Sequence, residues 1–249
     1  MRKIIIGNWK MNPGSLKEAQ VIFNDILKMV KGLKNTEIII CPPSLFLSIG
    51  DKLKIKNISL GAQNVFEEMN GAYTGEVSTK MLSSLGVKYV ILGHSERRNL
   101  GETNKIINKK ILATLKEKLL PILCIGENTR DNNGFYLAFI KHQIIECLAN
   151  IPKAQIKNII IAYEPIWAIG DKAINEATKD EFIEIQIFIK KIIADIYDIK
   201  TANTIKIIYG GSVHSSNAKE FIDGGADGLL VGRDSLSPKK FKEIIEIIK

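Results

Sequence analysis

Three cysteines in 249 residues, Cys41, Cys124 and Cys147, have the wrong parity for a disulfide framework, and with no Cys-x-x-Cys pair they outline no zinc site. No apolar run approaches the roughly 20 residues that span a bilayer. The run after Met1 is also too short for a signal peptide, so a cytoplasmic protein without a membrane partner is expected. No Gly-x-Gly-x-x-Gly follows the first strand-like segment, which argues against a doubly wound dinucleotide-binding sheet. Linker-like and low-complexity stretches are missing too, and residues 1–249 are expected to form one domain. Charge is plentiful but unclustered. The net charge of +8 is spread among Asp and Glu along helix-like segments, which excludes a nucleic-acid footprint and leaves a field that would steer small anions.

What the chain does have is a 45% hydrophobic content cut into short β-branched runs, alternating with longer amphipathic ones. The runs predict eight strands, at Lys3–Asn8, Thr36–Cys41, Ile58–Gln63, Tyr89–Gly93, Pro121–Gly126, Asn158–Tyr163, Thr204–Tyr209 and Gly228–Val231. Helical periodicity covers Leu16–Val30, Lys105–Lys118, Phe135–Ala149, Glu181–Ile196 and Pro238–Ile248, with Ser237 as the N-cap of the last. Strands separated by helices pair in parallel, and eight units of this length close into a (β/α)8 barrel.

In such a barrel, polar residues at the C-terminal ends of strands converge on one face. Glu164 ends the sixth strand, where a partly desolvated carboxylate can serve as a general base. Pro165 and the segment Trp167–Gly170 follow it, an apolar stretch suited to covering a site. Asn8 and Lys10 follow the first strand and offer an amide and a fixed cation. After the fourth strand, His94 precedes Ser95-Glu96-Arg97-Arg98. A helix starting there would favour a neutral ring able to polarise a carbonyl. Tyr209-Gly210-Gly211-Ser212 and Leu230-Val231-Gly232-Arg233 follow strands seven and eight, where glycine turns bring backbone N–H groups close to a phosphate. The connection Glu68–Glu76 is long for an interior loop, and its Met69 and Tyr73 suit insertion into a partner subunit. Each residue also has an ordinary reading: a strand-end ion pair for Glu164, a surface ring for His94, a turn for Asn8 and Lys10.

Taken together, and in this order, Asn-x-Lys, Gly-His-Ser-Glu-Arg-Arg, Ala-Tyr-Glu-Pro-x-Trp-Ala-Ile-Gly, Tyr-Gly-Gly-Ser and Leu-Val-Gly resemble the triosephosphate isomerase family across essentially the whole chain. The resemblance implies a homodimeric barrel enzyme without metal or organic cofactor, acting on a small phosphorylated triose in glycolysis and gluconeogenesis. That family is itself the standard example of a carboxylate base working with a neutral imidazole under a closing loop, so the mechanism comes with the resemblance. It implies Glu164 as the base, His94 as electrophile and proton shuttle, Lys10 with Asn8 at the substrate, and Glu96 as a supporting residue. Gly170, Ser212, Gly232 and Arg233 match phosphate-binding positions, and Tyr73, Thr74 and Gly75 fall where the family contacts its second subunit. Two departures stand out. Where the family usually runs Thr-Gly-Lys-Thr-Ala-Thr after the glycine, this chain reads Asp171–Thr178, about two residues longer with Thr178 as the aligned threonine, and Asp234 stands where a small apolar residue is common.

Two rival classes remain at this level. A Schiff-base aldolase would want a lysine inside a strand, for which Lys206 is the candidate, and a sugar-phosphate epimerase would share the phosphate turns. A non-catalytic phosphate-binding barrel would be expected to have lost Glu164 or His94, and both are present.

Overall fold

A computed structural model describes residues 2–33, 35–50, 53, 55–170 and 175–248. Eight parallel strands close in sequential order into a barrel. They are β1 (Lys3–Asn8), β2 (Thr36–Cys41), β3 (Ile58–Ala62), β4 (Val87–Leu92), β5 (Leu120–Ile125), β6 (Ile160–Tyr163), β7 (Lys206–Tyr209) and β8 (Gly228–Val231). The ring is completed by β1 against β8, with Ile4 opposite Gly228 and Gly7 opposite Val231. Around it run α1 (Leu16–Val30), α2 (Thr79–Ser84), α3 (Ser95–Asn99), α4 (Asn104–Lys116), α5 (Phe135–Cys147), α6 (Lys179–Ile196), α7 (Ile199–Ala202), α8 (Ala218–Asp223) and α9 (Pro238–Ile247). Among the described residues no helix is long and apolar enough to cross a membrane.

The strand sequences are apolar on both faces because both faces are covered. Alternate side chains point inward and outward. Ile4, Ile6, Ile39, Ile91, Ile122, Ile160 and Ile208 fill the barrel interior, whereas Ile5, Ile38, Ile40, Val90, Leu123, Ile161 and Ile207 pack beneath the helices. The interior is therefore a packed core and leaves chemistry to the strand ends. Helix α6 starts at a full capping box. The Thr178 hydroxyl accepts from the Glu181 N–H and the Glu181 carboxylate accepts from the Thr178 N–H at 2.7 Å, a device worth roughly 1 kcal/mol.

Strand and helix positions follow the sequence closely, with shifts of one or two residues at several ends. Strand β6 begins at Ile160 because the preceding Lys153–Asn158 coils into a 3-10 turn. Pro238 does occupy the first turn of α9, but Ser237 makes no side-chain capping bond there. Met69 is partly buried, not exposed as expected.

Candidate active site

Lys10 leaves β1 with φ of 54°, a left-handed backbone that a non-glycine residue adopts only when its surroundings impose it. Two side chains impose it here: Asn8 Oδ1 accepts the Lys10 N–H at 3.0 Å, and Gln63 donates to the Lys10 carbonyl at 2.9 Å. The twist sends the Lys10 ammonium to Glu96 Oε1, 2.6 Å away. It also runs the side chain past Gly232, where a methyl group would lie 3.5 Å from Lys10 Cε. Asn8, Lys10, Glu96 and Gly232 thus belong to one neighbourhood, although 224 residues separate Asn8 from Gly232 (232 − 8).

His94 caps α3, and its Nδ1 accepts the Glu96 backbone N–H at 3.2 Å. A ring nitrogen that accepts an N–H carries no proton, so the neutral ring has its proton on Nε2. That nitrogen faces Glu164 Oε1 at 3.4 Å. Glu164 is buried at the end of β6, and its other oxygen accepts the Ser95 N–H at 3.2 Å. Oε1 makes no well-formed hydrogen bond. The carboxylate is held in place by its neighbour strand: the Glu164 N–H donates to Ile125 O at 2.8 Å, and Gly126 lies so near that a Cβ there would sit 1.8 Å from the Glu164 carbonyl oxygen. The Cys124 thiol lies beside this carboxylate, and burial followed by that negative charge pushes its pKa well up.

The glycine turns lie on the same face. Gly170 has φ of 79°, and beyond it Asp171, Lys172, Ala173 and Ile174, the first four residues of the altered stretch, lie outside the described residues. The Ser212 hydroxyl donates to the Ala168 carbonyl at 3.0 Å, joining the turn after β7 to the covering segment. Gly232 opens a 3-10 turn, Arg233–Leu236, in which Arg233 is exposed. Asp234 is turned away to Lys240, 3.2 Å distant. Lys206 lies at the first residue of β7, at the opposite end of the barrel from this group.

The family model described as triosephosphate isomerase matches residues 3–248. Curated proteins named triosephosphate isomerase align end to end: 43% identity with that of Dictyoglomus thermophilum (98% of this chain, 99% of that protein), 42% with that of Aquifex aeolicus (98% and 99%), and 40% with that of Endomicrobium trichonymphae (100% of both). The chain belongs to the triosephosphate isomerase family. Two of the five motifs that carried the resemblance, Gly-His-Ser-Glu-Arg-Arg and Ala-Tyr-Glu-Pro-x-Trp-Ala-Ile-Gly, supply the His94 and Glu164 that meet here.

Sequence reasoning missed a second buried carboxylate of this family member. Glu127, just past β5, is 1% exposed, and its Oε1 accepts both the Tyr163 hydroxyl and the Trp167 indole N–H at 2.8 Å. It thereby anchors the residue before Glu164 and the first turn of the covering segment. Burial pushes its pKa up, while the two donated bonds and Arg130 act in the other direction. Arg130 lies 3.6 Å from Glu127, stacks 4.6 Å over the Tyr136 ring and binds Glu184 on α6. The signal was available, since Glu127 follows a strand as Glu164 and His94 do.

The long connection after β3 folds back on itself, with the Phe66 N–H bonded to Val77 O at 2.9 Å and the Phe66 and Tyr73 rings 4.6 Å apart. Tyr73 stays 45% exposed, and Thr74 and Gly75 are exposed beside it. At the root of this loop a cavity of about 600 Å³ opens beside Lys10 and His94, rimmed by Met11, Glu76, Arg97 and Leu100.

Proposed function

We propose that the chain, working as one barrel domain, interconverts dihydroxyacetone phosphate and D-glyceraldehyde 3-phosphate in glycolysis and gluconeogenesis. The observation that carries the reading is the opposition of Glu164 Oε1, buried and making no well-formed hydrogen bond, to the Nε2–H of a histidine whose other nitrogen is tied to backbone. A buried acceptor left unsatisfied in a native fold asks for an explanation. Proton abstraction supplies it.

Glu164 takes a proton from C1 of dihydroxyacetone phosphate, and the C–H electron pair becomes the C1–C2 double bond. The carbonyl π pair moves onto the C2 oxygen, which takes the proton of His94 Nε2. The ring then recovers a proton from the C1 hydroxyl, and the Glu164 carboxylic acid delivers its proton to C2, so atoms and charge balance. Lys10, held by Asn8 and Glu96, offsets the charge that grows on the two oxygens. Backbone N–H groups at Gly170, Ser212, Gly232 and Arg233 receive the phosphate. The covering segment from Trp167 keeps water from the enediolate, which otherwise expels phosphate. No step in this sequence calls on a metal or an organic cofactor.

A homodimer is supported by the cavity beside Lys10 and by apolar groups left in water around it, with Met11 93%, Leu100 81% and Tyr73 45% exposed. A second copy's Tyr73–Gly75 loop has the chemistry to fill it. Three buried cysteines without a bridge suit a reducing compartment, hence the cytoplasm.

Dihydroxyacetone phosphate incubated with the protein in deuterated water should gain deuterium at the carbon next to its carbonyl, and Glu164→Gln should abolish the exchange. Exchange that persists in that variant, or none in the natural protein, would overturn the assignment.

A further inference from the structure

The turn after β7 holds a side-chain cluster that the mechanism leaves unused. Glu176, two residues before the Thr178 cap of α6, reaches across to this turn. Its Oε1 lies 3.0 Å from His214 Nε2, and its Oε2 accepts from Asn217 Nδ2 at 3.3 Å. Asn217 is buried, and the same amide nitrogen donates to the Ser212 carbonyl at 2.8 Å while its oxygen accepts the His214 N–H at 3.0 Å. The ring's Nδ1 is 2.6 Å from the Ser216 hydroxyl. Hydrogen bonding from His214 holds the Glu176 carboxyl below the usual carboxylate range.

The geometry is that of a brace. Ser212 is pinned twice: its hydroxyl to Ala168 ahead of Gly170, and its carbonyl through Asn217 to Glu176. Glycines make this turn pliable, and Gly211 lies against the Tyr209 hydroxyl, so a phosphate-receiving conformation has to be imposed from outside the turn. We propose that Glu176, His214 and Asn217 are positioning residues that preset the Ser212 turn for the substrate's phosphate group. The proposal rests on the isomerase reading for the identity of that phosphate; the brace contacts the Ser212 end of the turn, whereas Gly210 at the other end lies against Glu164.

The test uses the intact protein and two probes. Direct calorimetric binding of inorganic phosphate reports the turn without any turnover, and steady-state kinetics report KM and kcat for D-glyceraldehyde 3-phosphate. Glu176 is 59% exposed at its side chain, so its pair with His214 is a modest one. Glu176→Ala and His214→Ala should each raise the phosphate Kd and the KM together by about two- to fivefold, with kcat moving less. The double variant should be little worse than either single one, because the two residues act as a unit. Asn217→Asp, which keeps the bond to the His214 N–H but loses the donor to Ser212, should cost about tenfold. An unchanged phosphate Kd in all the variants, additive losses in the double variant, or a fall in kcat at constant KM would overturn the proposal. A natural protein that binds phosphate yet fails to isomerise would instead overturn the functional reading, leaving the brace standing.

Discussion

A single methyl group at Gly126 should disable the base without touching its carboxylate. The Cβ of Gly126→Ala would lie 1.8 Å from the Glu164 carbonyl oxygen and 2.6 Å from its carbonyl carbon. Carbon and oxygen approach without strain to about 3.3 Å, so about 1.5 Å must open between the ends of β5 and β6. Both partners in the clash are near backbone, and no flexible side chain can swing aside. Misplacement of a reacting group by about 1 Å costs on the order of 100-fold, so kcat should fall by about that factor or more. Overpacking of this kind costs about 1–3 kcal/mol, which for a chain of this size lowers Tm by roughly 2–12 °C. Gly14→Ala is the control, since the nearest atom to its Cβ is Glu18 Oε2 at 3.9 Å and neither rate nor Tm should change. Rates by a coupled assay and Tm by circular dichroism decide the matter. A Gly126→Ala protein with kcat within threefold of the natural one would refute the argument that this contact sets the position of Glu164.

Lys10→Met should raise KM and lower kcat together, because one charge serves bound substrate and growing enediolate, and it leaves Glu96 without its 2.6 Å partner; an effect on Tm alone would count against this. Tyr73→Asp should yield a weakly active monomer by placing an unpaired charge in the proposed subunit contact, and a fully active monomer in analytical ultracentrifugation would contradict it. Glu127 binds its proton more tightly folded than unfolded, so its contribution to stability is lost as pH rises from about 4.3, the ordinary carboxylate value, through its raised folded pKa. Glu127→Gln should flatten that stretch of the stability–pH curve in urea titrations, and an unchanged slope would show that the carboxyl does not titrate there.

The barrel was legible because covered parallel strands leave an unmistakable trace, as in Ile4-Ile5-Ile6 and Ile38-Ile39-Ile40, where inward and outward residues are both apolar. The strand-end rule then gathered Asn8, Lys10, His94 and Glu164. Short helices such as α2 and α8 were not visible, since six residues carry too little periodicity to separate from a turn. The brace on Ser212 joins positions about 40 residues apart through side-chain tips, with 38 between Glu176 and His214, and no local pattern encodes such a meeting. Gln63 escaped notice for the same reason: its bond to the Lys10 carbonyl spans 53 residues.

Closure of the ring by its two terminal strands also sets a timetable for synthesis. The Lys3 ammonium binds the Ala226 carbonyl across 223 residues of chain. At about 5–20 residues per second, the ribosome leaves β1 waiting roughly 11–45 s for β8 to be made. Throughout that interval Ile4, Ile5 and Ile6 present an unpaired strand edge, the kind of surface on which nascent chains stick to one another. Helper proteins that shield such edges would matter most for this molecule at β1, before β8 is made.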